Sequence, residues 1–260
     1  MKRNGSEIIL ECLLEQGVST IFGYPGGSVL NVYDALSRYQ DRIKHVLTAD
    51  ERGATHAADG YARATGNVGV VLVTSGPGAT NTVTGIATAY MDSVPLVVIS
   101  GNVATPSLGL DSFQEIDITG ITIPITKHNF IVKDISQLAH VIRSAFSIAS
   151  SGRKGPVLVD IPKDITEQFC EYHPQPLKIK KQTQPVQPQS LKNAVSLLET
   201  SQRPLLYTGG GVISSTGANK AVAAFAEQFD LPVTSSLMGQ GSFDQYHPRY
   251  LGMLGMHGTK

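Results

Sequence analysis

The stretch HVLTADERGATHAADGYARATG, residues 45–66, decides the fold of this protein. It begins with β-branched and aliphatic residues, as a buried strand does, and passes within a few positions into a helical pattern that Glu51 opens. Small residues dominate that helix, among them Ala54, Ala57, Ala58 and Gly60. Because small side chains let a neighbouring backbone come close, the stretch predicts a tightly packed strand and helix with a carboxylate between them.

Strand and helix patterns alternate on both sides of this stretch. The strands are continuous apolar runs, which indicates a sheet that is buried on both faces. We predict strands at 44–48, 68–74, 95–101 and 155–162, and helices at 51–65, 77–91 and from a cap at Ser136 onward. This order predicts an α/β fold with a doubly wound parallel sheet.

The chain divides into two predicted domains. Residues 1–166 carry the first α/β pattern, and residues 167–189, which are rich in Pro, Gln and Lys, are predicted to be a linker. A second, Rossmann-like pattern occupies residues 190–260, with helices predicted at 190–199 and 217–229. It contains few strands, so we expect an incomplete central domain and the N-terminal portion of a longer protein.

Composition excludes several classes of protein. The 21 basic residues balance 21 acidic ones, so there is no charge pattern for nucleic acid or an anionic membrane. No apolar run reaches the roughly 18 residues that a membrane span needs. Cys12 and Cys170 lie far apart without metal-ligand spacing, which argues against a zinc site or a disulfide framework and favours the cytoplasm.

Glu51 allows two interpretations. A glutamate in the first turn of a helix is commonly a solvated residue that the helix dipole favours. Its position after a buried strand, where ligands collect in parallel α/β sheets, favours a binding role instead. The pattern alone leaves both interpretations open.

Glycine-rich turns follow three of the predicted strands. In SGPGATN, residues 75–81, Pro77 suits the first position of a helix and the glycines can adopt positive φ. The turn has neither a Walker lysine nor GxGxxG spacing. It is therefore either a plain connection between strand and helix or a turn that binds a phosphate or a ring, and the pattern does not decide between these two interpretations. GYPGG (23–27) and TGGGV (208–212) have the same placement, and the second suits a dinucleotide pyrophosphate.

Longer motifs carry a resemblance to a known family. In chain order they are FGYPGG, ADERGATHAADGYARATG, SGPGATN, DSVPLVVISG, DSFQE, TKHNF, GPVLVDIPKD, LMGQGS and LGMLGMHG. Together they resemble acetohydroxyacid synthase, the large catalytic chain of the thiamine-diphosphate enzymes that make acetolactate. DSFQE, IPKD and LGMHG are more specific than the glycine turns, which many thiamine-diphosphate enzymes share.

The resemblance implies a role for each motif. Glu51 matches the glutamate that hydrogen-bonds the aminopyrimidine ring of thiamine diphosphate and promotes loss of the thiazolium C2 proton. The implied reaction condenses pyruvate with a second 2-ketoacid, pyruvate or 2-ketobutyrate, with loss of carbon dioxide. Phe113 and Lys163 match residues near the substrate. The positions implied to hold thiamine diphosphate are Pro25, Gly26, Gly27, Pro77, Asn81 and Gln114, and those implied to hold a structural FAD are Arg153, Gly210, Gly211, Ser236, Leu237, Leu254, Gly255, Met256 and His257.

The sequence departs from the family pattern in three places. Asp50 and Arg52 flank the glutamate in place of the usual His and Gln. The segment ATPSLGL before DSFQE lacks the Pro-plus-basic character that is common at the channel mouth. No GDG motif occurs, so we expect the ligands of Mg²⁺ outside this chain, predict no metal ligand within it, and expect it to be inactive alone.

The resemblance also implies partners and leaves alternatives. It implies a homodimer or homotetramer, is compatible with a small regulatory subunit, and implies cytoplasmic synthesis of valine, isoleucine and leucine. Another thiamine-diphosphate decarboxylase, oxidase or carboligase, such as pyruvate oxidase or glyoxylate carboligase, is one alternative, and a non-catalytic fragment is the other. Titrating the chain with thiamine diphosphate and Mg²⁺ tests the second, and we expect weak or absent binding to this chain alone.

Overall fold

The structure is a computed structural model that describes residues 1–175 and 185–258. The chain divides into two units, Met1–Lys180 and Lys181–Lys260. Residues 176–184, which belong to the predicted linker, and residues 259–260 lie outside the described residues.

The first unit is built on a six-stranded parallel sheet. The strands of the first unit in chain order, including β1 and β8, which pair with each other outside this sheet, are β1 (Lys2–Asn4), β2 (Thr20–Gly23), β3 (Lys44–Leu47), β4 (Gly69–Val73), β5 (Leu96–Asn102), β6 (His128–Ile131), β7 (Val157–Pro162) and β8 (Phe169–Glu171). The parallel sheet has the order β3-β2-β4-β5-β7-β6. Val71, Val98 and Leu158 lie side by side across β4, β5 and β7 and are fully buried. The predicted doubly wound α/β fold is confirmed.

Helices cover both faces of this sheet. They are α1 (Gly5–Glu15), α2 (Leu30–Ser37), α3 (Glu51–Thr65), α4 (Pro77–Asn81), α5 (Val83–Met91), α6 (Ile118–Thr122), α7 (Ile135–Ser150) and α8 (Lys163–Glu167). Helices α1, α2 and α7 pack on the face that Val70 and Leu72 point to, and α3, α5 and α6 pack on the face of Val71 and Val73. Successive strand residues therefore enter opposite cores, which explains the continuous apolar runs in the sequence.

Two sequence predictions about these helices are wrong. The cap of α7 is Asp134, whose carboxylate accepts from the backbone N–H of Ser136 at 2.8 Å. A carboxylate also interacts favourably with the positive end of the helix, so it displaces the serine two residues later as the cap. The predicted helix 77–91 is two helices that meet at Thr82, whose hydroxyl donates to the carbonyl of Ala79 at 2.6 Å.

Helix α3 lies unusually close to its neighbours. A β-carbon on Gly69 of β4 would lie 2.3 Å from the carbonyl oxygen of Ala58, and one on Gly85 of α5 would lie 2.6 Å from Cβ of Thr55. The prediction that small residues allow close backbone packing is confirmed at Ala58, which is fully buried. It is wrong at Gly60, which is exposed and has open space where a β-carbon would stand.

The first unit extends beyond residue 166, where the sequence pattern ends it. Strand β8 pairs antiparallel with β1, with Arg3 opposite Cys170. The carboxylate of Glu15 forms two hydrogen bonds with Arg143, at 2.8 and 2.9 Å, and accepts from the backbone N–H of Gln175 at 2.8 Å. Residues 169–175 are thus ordered parts of this unit, and a three-residue strand is too short to give a periodic signal.

Asp160 is a buried carboxyl group that joins two central strands. It is 1% exposed and accepts hydrogen bonds from Oγ of Ser100 at 2.7 Å and from Nδ2 of Asn102 at 2.5 Å. Burial raises the pKa of Asp160 to about 7, against the lowering effect of these two bonds. The folded chain therefore binds an extra proton between the unfolded pKa of about 3.9 and about 7. The stabilisation is complete below the lower value and is lost as pH rises through about 7.

Replacing Asp160 by asparagine is expected to remove this pH dependence. The free energy of unfolding of Asp160→Asn, measured with urea, should improve relative to wild type as pH rises from about 4 to about 7, and then level off. The exposed substitution Asp41→Asn is the matched control. A difference between Asp160→Asn and wild type that is the same at every pH would contradict the raised pKa.

The second unit contains a smaller parallel sheet. Its elements are α9 (Pro188–Thr200), β9 (Leu206–Thr208), α10 (Gly210–Ile213), α11 (Ala218–Gln228), β10 (Val233–Ser235) and β11 (Tyr250–Met253). The strand order is β11-β10-β9, and Ala226, Val233 and Phe243 form its core. No helix in the described parts of either unit is long and apolar enough to cross a membrane.

Candidate functional site

Three connections of the first unit meet at one edge of its sheet. The turn at residues 24–29 follows β2, Glu51 follows β3, and the turn at 74–76 follows β4. These strands are neighbours and parallel, so their carboxyl ends share one edge. In open parallel sheets ligands bind at this edge.

Glu51 faces this edge and is not solvated. Its side chain is 7% exposed, and Oε2 accepts a hydrogen bond from Nδ2 of Asn81 at 2.9 Å. A β-carbon on Gly78 would lie 3.0 Å from Oε1, so the absence of a side chain there makes room for the carboxylate. The interpretation of Glu51 as a solvated first-turn residue is therefore wrong.

The residues that flank Glu51 have a structural role. The carboxylate of Asp50 caps α3 by accepting from the N–H of Gly53 at 2.8 Å, and it pairs with Nη2 of Arg52 at 2.6 Å. The N–H of Gly53 and then Arg52 lower the pKa of Asp50. The two charges that depart from the family pattern thus offset each other at the surface, beside Glu51.

Ser28 and Thr74 join the turns after β2 and β4. The hydroxyl oxygens of Ser28 and Thr74 lie 2.9 Å apart, and Oγ of Ser28 accepts from the N–H of Ser75 at 2.9 Å. A β-carbon on Gly26 would lie 2.5 Å from the Thr74 side chain, so only glycine fits there. Sequence reasoning missed this pair, because a serine and a threonine in glycine-rich turns carry no pattern of their own.

Tyr33 was also missed, although it lies within the electrostatic range of Glu51. Its hydroxyl lies 3.1 Å from Nε2 of His45 and donates to the carbonyl of Leu72 at 3.3 Å. Burial, and then the negative charge of Glu51, raise the pKa of Tyr33 well above its usual range. The hydroxyl is therefore a neutral donor. In the sequence Tyr33 has the helical spacing of a core residue, so the pattern did not single it out as part of the site.

The segment that contains DSFQE reaches the turn after β4. Gly76 has φ of 58°, and a β-carbon on it would lie 2.7 Å from the backbone oxygen of Gln114. Pro77, the first residue of α4, is exposed, and Phe113 is 87% exposed. Lys163 begins α8 directly after β7, at the same edge but two strands from β4.

The other sequence-predicted residues of the turns lie as follows. Pro25 and Gly27 are exposed beside Gly26, and a β-carbon on Gly27 would meet no atom within 4 Å. Arg153 stands apart: it precedes β7, at the opposite edge of the sheet, and its Nε donates to Oγ of Ser93 at 2.8 Å. The structure therefore does not bring Arg153 together with Glu51.

The predicted residues of the second unit gather at the carboxyl ends of its strands. Gly210 follows β9, and a β-carbon on it would lie 3.2 Å from Cβ of Met238. Ser236 follows β10, and its Oγ accepts from the N–H of Gly239 at 3.2 Å. The N–H of Leu254, just after β11, donates to the carbonyl of Ser235 at 2.9 Å. The sequence-predicted residues at this edge are Gly210, Gly211, Ser236, Leu237, Leu254, Gly255, Met256 and His257.

The side chains at the edge of this second sheet are open to solvent. Leu237 is 67% exposed, Leu254 58% and Met256 94%. Within residues 1–175 and 185–258, no group of three or more His, Cys, Asp or Glu side chains is arranged to hold a metal ion.

Sequence comparisons identify both units. Residues 3–121 match the N-terminal TPP binding domain of thiamine pyrophosphate enzymes, and residues 191–260 match the central domain of the same enzymes. The chain therefore belongs to the thiamine pyrophosphate enzymes.

The similar proteins are acetolactate synthases. The chain is 51% identical to the acetolactate synthase large subunit of Parasynechococcus marenigrum and 51% identical to the acetolactate synthase of Arthrospira platensis. It is 49% identical to the acetolactate synthase isozyme 3 large subunit of Escherichia coli K12. Each match covers 98% of this chain and between 42% and 46% of the relative. The chain is thus a homologue of acetolactate synthase large subunits and spans less than half of their length.

Proposed function

We propose that this chain supplies the side of an acetolactate synthase centre that binds the aminopyrimidine ring of thiamine pyrophosphate. One observation carries the proposal: the buried carboxylate of Glu51 is held by Asn81 at the carboxyl edge of a parallel sheet, where Gly78 leaves room for it. A carboxyl group at such a place can exchange a proton with a ring nitrogen.

The residues of the turns fit this ring. Asn81 is a neutral partner, so it orients the carboxylate without neutralising its charge. In the turn after β2 a β-carbon on Gly27 would meet no atom within 4 Å, and Pro25 and Pro77 are exposed apolar rings. An apolar surface with one directed carboxylate is the composition expected for a site that recognises a heteroaromatic ring.

The chain's own residues would hold and direct one proton. Thiamine pyrophosphate, when bound, supplies an electron sink for loss of carbon dioxide from a 2-ketoacid. Glu51 would hold the proton on its carboxyl oxygen, and Asn81 would keep that group in one orientation. Tyr33 retains its own proton, because burial and Glu51 raise its pKa. The Ser28–Thr74 pair would keep the two turns at a fixed separation.

We assign further residues to the substrate and to the domains. Phe113 and Lys163 would lie near the two 2-ketoacids. The first is pyruvate, and the second is pyruvate or 2-ketobutyrate. Residues 1–166, with the strand β8 that follows them, would form the pyrimidine-binding domain, the later part of 167–189 the link, and 190–260 part of the central domain.

We also assign the finer properties of the family to this protein. A structural FAD would be bound by the residues given above at the carboxyl edge of the second unit's sheet. Mg²⁺ would be bound by ligands other than the described residues. A homodimer or homotetramer, a small regulatory subunit, and a cytoplasmic role in the synthesis of valine, isoleucine and leucine complete the proposal.

The test is product analysis of the protein purified from its native host. With pyruvate and thiamine pyrophosphate we expect acetolactate, and with added 2-ketobutyrate we expect the mixed condensation product. Acetyl phosphate or tartronate semialdehyde formed from the appropriate substrates would favour a pyruvate oxidase or a glyoxylate carboligase instead. The absence of any product together with absence of thiamine pyrophosphate binding would favour a non-catalytic role.

A further inference from the structure

The connection between β5 and α6 is folded back on itself by one carboxylate. Glu115 accepts hydrogen bonds from the backbone N–H groups of Gly109 and Ser112, the second at 2.9 Å, and its own N–H donates to the carbonyl of Ser112 at 2.9 Å. The hydroxyl of Ser112 donates to the carbonyl of Ser107 at 3.0 Å. Residues 109–115 thus form a closed loop, and the hydrogen bonds of Glu115 join its two ends.

This loop is not held by burial of apolar side chains. Leu110 is 69% exposed and Phe113 is 87% exposed. Two other members of the loop, Asp111 and Gln114, have φ of 53° and 59°, a conformation that is unfavourable for residues other than glycine. Polar contacts must therefore maintain the loop, and charge-assisted bonds to a carboxylate are the strong ones among them.

The loop also touches the candidate site. The backbone of Gln114 packs against Gly76 so closely that a β-carbon on Gly76 would lie 2.7 Å from its oxygen. Gly76 immediately precedes α4, which carries Asn81, the partner of Glu51. The position of Phe113 and Gln114 relative to Glu51 therefore depends on the shape of this loop.

We propose that Glu115 is a positioning residue: its carboxylate fixes the loop 109–115 so that Phe113 is presented to the 2-ketoacid and Gln114 stays against Gly76. The inference rests on the proposed function of the site. The N–H groups of Gly109 and Ser112 lower the pKa of Glu115, so the carboxylate is ionised and fully able to accept at neutral pH.

Hydrogen exchange in the 260-residue chain tests the loop itself. In Glu115→Gln and Glu115→Ala we expect the amide hydrogens of Gly109 and Ser112 to exchange at least about tenfold faster, with the thermal midpoint of unfolding unchanged. Asp134→Asn is the matched control, because it weakens a carboxylate-to-backbone bond at the start of α7, away from this loop. Unchanged exchange at Gly109 and Ser112 in the Glu115→Ala variant would overturn the proposal.

Kinetics of the protein from its native host test the consequence. At saturating thiamine pyrophosphate we expect KM for the 2-ketoacid to rise about tenfold in Glu115→Gln, while kcat changes less than about twofold. Faster exchange with unchanged KM would overturn the positioning role. If the wild-type protein makes no acetolactate, the proposed function fails, whereas the exchange result still reports on the loop, so the two failures are distinguishable.

Discussion

Replacement of Glu51 by glutamine is expected to lower kcat for acetolactate formation by about 10²–10⁴-fold, the usual contribution of a positioned acid–base group. Glutamine has nearly the same shape and keeps a carbonyl oxygen that can accept from Nδ2 of Asn81. The buried hydrogen bond, which is 2.9 Å long, is therefore retained, and only the exchangeable proton is lost. We expect the thermal midpoint of unfolding to move by less than about 2 °C.

The measurement is a steady-state assay with pyruvate on the protein from its native host, together with thermal unfolding of the same samples. Glu199→Gln, on the exposed face of α9, is the control and should leave both quantities unchanged. A Glu51→Gln enzyme with more than about a third of wild-type kcat would show that this carboxyl group moves no proton in the rate-limiting steps. A large fall in the unfolding midpoint would instead show that its role is structural.

The second large effect is expected at Gly69. A β-carbon there would lie 2.3 Å from the carbonyl oxygen of Ala58 and 2.7 Å from Cδ2 of Leu96. The first obstacle is backbone, so α3 as a whole must move away from β4. We expect Gly69→Ala to reduce the free energy of unfolding by about 3 kcal/mol, the upper part of the usual range for overpacking. Thermal unfolding should show a fall in the midpoint of about 6–12 °C.

Gly60→Ala is the matched control, because the same change is made in the helix that Gly69 contacts. Gly60 is exposed, and a new β-carbon there meets no atom within 4 Å. Alanine lowers the entropy of the unfolded chain and favours the helix, so we expect a gain of about 0.5–1 kcal/mol. If the two variants shift the midpoint in the same direction by similar amounts, close packing of α3 against β4 is not what glycine at position 69 provides.

Much of the fold could be predicted from local pattern. Helix α3 has the predicted bounds, 51–65, and the apolar runs around residues 71 and 98 gave the central strands, because periodicity and glycine punctuation are properties of a few successive residues. The cap at Asp134 and strand β8 were missed. Asp134 and Ser136 are both possible caps and the periodicity does not choose between them, and a strand of three residues is too short to show a periodic pattern.

The sequence by itself determined a parallel α/β sheet, the placement of a carboxylate after β3 and the motifs of the thiamine pyrophosphate enzymes, since each of these is written within a short segment. Only the tertiary structure decided that Glu51 is buried against Asn81, thirty residues away, and that Ser28 meets Thr74, forty-six residues away. The physical reason is the strand order β3-β2-β4, which brings the ends of three separate segments to one edge. That order is set by packing on both faces of the sheet, and no local pattern encodes it.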